Sequence, residues 1–299
     1  MWAGFLLLLA ASAPDDAGLQ RILARVSEEA DVFRASALKI LAQEKLVQRS
    51  LQRPRRFRPR LGAAALGPPP PRYRSRAIIS EYGFGSFREA PGALHEFRQV
   101  ISVDGRQVAS REKARRTLVA GLQSQDDRLR KRMLEDFEKH GLVGAATDFG
   151  QVLLLFTRPR LEEYAFSRVG GGQIGADRAA ILSFRQTSGS GSLLIFESRR
   201  AIHQPLEGQL WVREEDGMPL RVVLSSTRQD GERTIRDEAR VDYVMTPLGY
   251  LAPATIVHRA MVGGDLLVEN QFEYSAFHMF TTDTDIRFRG EAGPDPNKK

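Results

Sequence analysis

The chain has 299 residues, of which 42% are hydrophobic and 27% charged, enough apolar content to bury a core and too much to leave most of the chain disordered. The absence of cysteine excludes disulfides, thiolate nucleophiles and cysteine-held zinc or iron–sulfur centres. The net charge is +7, but all but seven of the 44 basic residues are arginines, and the basic residues are spread along the chain among 37 acidic ones, which argues against a dedicated nucleic-acid-binding stripe.

Met1 to Ala13 is apolar and ends in small residues, with Ala11-Ser12-Ala13 as an A-x-A match. It is well short of the roughly 20 residues a membrane helix needs, so residues 1–13 read as a secretory signal peptide and the protein as periplasmic or secreted. Two features depart from that pattern: the stretch has no Lys or Arg, and Pro14 follows the cut. A short buried helix stays open as the alternative. No later segment approaches a membrane span, and with no Cys there is no lipobox.

Residues 14–51 read as an N-terminal helical segment. Leu19, Ile22, Leu23, Val26, Ala30 and Phe33 recur at three- and four-residue spacing, which predicts a helix to about Ala37. From Leu38 to Leu51 the pattern fits helix or strand. Residues 52–76 are a Pro/Arg-rich loop or linker, since each Pro lacks a donor and fixes its φ. Its Arg53–Arg60 run is the candidate contact for an envelope protein or an anionic polymer.

Residues 77–289 read as a single antiparallel β-rich domain, and 290–299 as a disordered tail. Ala77 to Val108 holds two strands and the turn dipeptide Asp104-Gly105; Arg111 to Arg116 reads as a charged connector. A helix is predicted near 125–140, with Leu129, Met133, Leu134 and Phe137 on one face, and a short helix or strand near 148–156. Strands follow at Glu162–Val169, Ala179–Gln186 and Leu193–Glu197. From Pro205 to Phe288 apolar residues alternate with polar ones between Gly-rich turns, the mark of antiparallel strands with one buried face. The predicted fold class is α+β, a curved antiparallel sheet or half-barrel-like meander covered by a few helices.

No catalytic set, cofactor or metal site is predicted. Gly170-x-Gly172-x-x-Gly175 matches a dinucleotide fingerprint in letters, but Asp177-Arg178 leads into a strand-like run and not into the helix that fingerprint needs. The five histidines show no H-x-x-x-H or H-E-x-x-H pair, and there is no G-x-S-x-G or P-loop. Aromatic residues concentrate in the C-terminal meander, where a curved sheet with a large apolar face either encloses a cavity or holds a filled core.

Taken in order, the apolar leader, FRQVISVDG, DDRLRKRMLEDF, G-x-L-W-V-R, V-D-Y, G-Y-L-x-P and FEYSAFHMF resemble an uncharacterised family of exported bacterial proteins of acidobacterial type. The strand block Glu207 to Phe288 is similar in pattern to the half-barrels of periplasmic lipoprotein carriers (LolA-like). That resemblance implies a non-enzymatic exported binding protein that shelters a hydrophobic or acylated ligand. Leu210, Val222, Val241, Phe272 and Tyr274 share one strand face and are the candidate ligand-cavity wall. An envelope interaction module using the Arg-rich surface is the alternative reading, and an unrecognised enzyme the third.

Overall fold

The computed structural model describes residues 16–52, 70–140, 142, 148–189, 195–197, 200–202 and 205–279. The leader 1–13, the Arg53–Arg60 run and the tail 290–299 lie outside them. In chain order the elements are α1 (Asp16–Ala37), β1 (Ile40–Leu51), β2 (Tyr73–Phe87), β3 (Ala90–Val103), β4 (Arg106–Gln107), α2 (Arg111–Gln123) and α3 (Asp127–Glu138). Two 3-10 helices follow, Val152–Phe156 and Arg158–Glu163, and then β5 (Tyr164–Ile174), β6 (Asp177–Gln186), β7 (Ile195–Glu197) and β8 (Arg200–Ile202). The meander is β9 (Glu207–Arg213), β10 (Pro219–Asp230), β11 (Arg233–Met245), β12 (Leu251–Val262) and β13 (Asp265–Met279).

Eleven strands form one antiparallel sheet in the order β4-β3-β2-β1-β13-β12-β11-β10-β9-β6-β5, curved but not closed; β7 and β8 pair separately. Of residues 38–51, where the sequence left helix and strand open, 40–51 are β1 and 38–39 the turn that leads into it. It sits in mid-sheet, with β13 on one side and β2 on the other. Residues 73–76, read from sequence as part of the Pro/Arg-rich segment, already belong to β2, and Gln52 N–H donates to the Arg72 carbonyl just before it at 2.7 Å.

Each face has its own cover. On the inner face α1 lays down Leu23, Val26, Ala30, Phe33 and Ala37, all buried in the main core with the inward residues of the strands. The three- and four-residue spacing that predicts the helix is the stripe that packs. On the outer face of β1–β3, α2 and α3 bury Leu118 and Met133 against Leu41, Phe87 and Phe97. α2 differs from the expected charged connector. Ala114, Leu118 and Gly121 face inward, Arg111 and Arg115 reach to the buried Glu81 of β2, and the Ser110 hydroxyl accepts from Lys113 N–H at 3.2 Å as its N-cap. Leu129 is exposed, so the inward stripe of α3 is narrower than its sequence implies.

Candidate functional site

The five candidate wall residues share the inner face. Strand register aligns Leu210 with Val222, Val222 with Val241, Val241 with Ile256, and Ile256 with Phe272. The row continues through Leu46 to Ile78 on one side and through Leu182 on the other, an unbroken apolar line over eight strands. Tyr274 lies two residues along β13 from Phe272, its ring stacked at 6.5 Å between centroids. All five are buried in the main core with α1, with Phe149 and with Val152, Leu153, Leu155 and Phe156 of the 3-10 segment. Beneath that segment the row is packed by the protein's own side chains.

Two buried polar assemblies flank the row, and sequence reading missed both. On β1, Glu44 is in phase with Ala42 and Leu46; on β3, Glu96 and Arg98 are in phase with Leu94 and Val100. Register brings them together. Arg98 donates to both Glu44 oxygens at 2.8–3.0 Å and to Glu96 Oε2 at 2.5 Å, with all three side chains buried. Its guanidinium also lies 5.2 Å from the Tyr82 ring centroid and 5.6 Å from that of Phe272. Burial alone would lower the Arg98 pKa, but Glu44 and Glu96 outweigh it and hold the group above its ordinary range. Burial pushes the Glu96 carboxyl up from 4.5; Arg98 opposes the shift, and the nearby Asp148 and Glu44 add to it. The phenols of Tyr82 and Tyr274 are raised for the same first reason, burial.

On the other side of the row a polar chain crosses the strands. Gln48 Nε2 donates to Asn270 Oδ1 at 2.7 Å, and Asn270 Nδ2 donates to His258 Nδ1 at 3.1 Å. That leaves His258 Nε2 to donate to Asp237 Oδ1 at 3.3 Å, and Asp237 also accepts from Arg228 Nε at 3.0 Å. His258 is thus a buried structural histidine. Among the described residues no group of three His, Asp or Glu side chains is placed to hold a metal. The glycine fingerprint falls in a hairpin: Gly170 and Gly172 are in β5, Gly175 turns at φ +59°, and β6 follows.

Open space lies at the rim of the inner face, where α1, the start of β3 and the 3-10 segment meet. A cavity of about 250 Å³ is lined there by Leu94, Val152, Leu154 and Leu155, with Arg34, His95, Asp148 and Arg160 among its polar neighbours. Asp148 sits in the left-handed region, φ +71°, and accepts from Glu96 N–H at 2.8 Å and from His95 Nδ1 at 3.3 Å. Gly150 N–H then donates to Glu96 Oε1 at 2.6 Å, and Leu153 N–H to the Tyr243 hydroxyl at 3.0 Å. The bonds at Asp148 and Gly150 fix the approach to the 3-10 helix, and the last ties the helix itself to β11. A lining that joins apolar walls to charged side chains suits an amphiphile better than a wholly polar solute.

No family model and no curated protein matches this sequence, so the resemblance to an exported acidobacterial family has no counterpart there. Among solved structures the chain is similar to an outer membrane lipoprotein-sorting protein domain from Vibrio parahaemolyticus, at 10% identity and a TM-score of 0.34, over 87% of this chain and 95% of that one. It is similar at the same identity and TM-score to a DUF1329 family protein from Desulfovibrio piger, over 89% and 95% of the two chains. MucB in complex with MucA(peri) follows at 11% identity and a TM-score of 0.18, over 85% and 99%. What the chain does is therefore read from its own side chains.

Proposed function

We propose that the protein is an exported, non-enzymatic binding protein that takes up an acyl chain at the rim cavity and along the inner face of its sheet. The observation that carries this reading is the eight-strand apolar row, whose cover beside the cavity is the short segment Val152–Phe156. At about 250 Å³ the cavity falls below the roughly 300–1,000 Å³ of ordinary ligand pockets, so it holds one end of a chain as it stands. A longer occupant displaces the segment that contributes Val152, Leu154 and Leu155 to the wall. Such a segment is a suitable one to move, because 3-10 hydrogen bonds have poorer geometry than α-helical ones. Leu210, Val222, Val241, Phe272 and Tyr274 then supply shape and apolar area.

The test uses a fluorescent fatty-acid probe and the variant Ala93→Trp. Ala93 is exposed and lines the cavity, so an indole there blocks the mouth without entering the core. The account expects saturable, competable binding by the wild type and at least about tenfold weaker binding by the variant, equivalent to ~1.4 kcal/mol. Equal binding by both proteins contradicts the site. Binding of a protein or an anionic polymer in place of the probe, lost on deletion of residues 53–69, points to the envelope interaction module.

A further inference from the structure

We propose that the rim cavity selects amphiphiles with an anionic head, a carboxylate or a phosphate, through Arg34 and Arg160. This deepens the acyl-binding reading and rests on it. The two guanidiniums come from different elements, α1 and the second 3-10 helix, and line one cavity whose other walls are Leu94, Val152, Leu154 and Leu155. The carboxylate in the same lining, Asp148, is engaged by Glu96 N–H and His95. The cations are less firmly held. Arg34 meets Asp31 in an i,i+3 pair with both side chains about half exposed, and Arg160 Nε lies 3.8 Å from Glu163 Oε2, at the outer limit of an ion pair. The exposed Arg34 pair contributes little, and the partly buried Arg160 pair is too long for a good hydrogen bond, so both guanidiniums can turn to a better acceptor.

An arriving carboxylate or phosphate offers guanidinium the pair of anionic oxygens that it binds best, through two parallel hydrogen bonds. The apolar wall beside it receives the tail and lowers the local dielectric, which strengthens the head contact. An uncharged head gains the tail contacts alone. Discrimination at this site therefore lies in the head, and uptake in the tail.

The experiment titrates the full chain with dodecanoate, dodecyl phosphate and dodecyl maltoside below their micelle concentrations, by calorimetry or probe displacement. The two anions are expected to bind at least about tenfold tighter than the maltoside. Arg34→Gln with Arg160→Gln should bring both anions down to the level of the maltoside and leave maltoside binding unchanged, while Arg34→Lys with Arg160→Lys keeps part of the preference. A phosphate preference over carboxylate assigns the head to phospholipid-type ligands, and the reverse assigns it to free fatty acids. Equal affinity for charged and uncharged heads, or an anion preference that survives the double Gln variant, overturns the head selection and leaves acyl binding standing. No binding of any of the three amphiphiles overturns both readings. Arg34 is exposed and Arg160 one-third exposed, and neither belongs to the apolar core, so circular dichroism of the variants should match the wild type.

Discussion

Arg98 holds two carboxylates in the interior, and the arrangement depends on all three members. Removing the cation leaves Glu44 and Glu96 facing each other without a counter-charge in a site sealed by Tyr82, Phe137 and Phe272. Arg98→Met should therefore lower unfolding free energy by about 3–5 kcal/mol, read from urea denaturation. Glu96 adds a pH dependence of definite sign. Its folded-state pKa is raised from 4.5, so the folded chain binds the proton more tightly than the unfolded one. Its contribution to stability is whole below pH 4.5 and is lost as pH rises through the raised value. Relative to Glu96→Gln, the wild type should lose stability as pH climbs above 4.5; a difference between the two that does not change with pH would contradict the assignment. Residues of this kind were only half legible in the sequence. Strand period puts Glu44, Glu96 and Arg98 at inward positions, yet Glu44 and Arg98 are 54 residues apart and meet only through the register of β1, β2 and β3.

Among the elements, the 3-10 helix Val152–Phe156 matters most to function. Its sequence VLLLF shows no period over five residues, so helix and strand were equally open, and only its seat on the inner face decides its form. A single side-chain hydroxyl, that of Tyr243, accepts from Leu153 N–H at 3.0 Å in buried surroundings. Tyr243→Phe removes that acceptor and should cost about 1–3 kcal/mol. The accompanying signature is local: faster amide exchange over residues 150–156 with β11 and β12 still protected. Uniform loss of protection across the sheet would mean that the segment does not open on its own. The charged connector turned out as α2 for a complementary reason. Of its three inward positions, Ala114, Leu118 and Gly121, only the small Ala114 falls within residues 111–116, where the surrounding Arg and Lys dominate the pattern. Gly121 is matched to α3, since a Cβ there would lie 2.5 Å from the Met133 methyl carbon. By contrast, the antiparallel character of the meander from β9 to β13 was legible, though not the bounds of each strand, because period-two alternation and Gly-rich turns are local signals.

At the scale of the molecule, β1 lies against β13, so the chain's first and last described strands share the middle of the sheet. No local pattern announces that pairing. It makes the inner face continuous from β6 to β2 and creates the row on which the functional reading rests. Whether that face meets a ligand in the cell is most directly tested by native mass spectrometry of the protein purified from a bacterial envelope, followed by lipid extraction. The account predicts a stoichiometric co-purifying species bearing an acyl chain and an acidic head, reduced in Ala93→Trp. A clean apo mass that stays unchanged after incubation with lipids would contradict it.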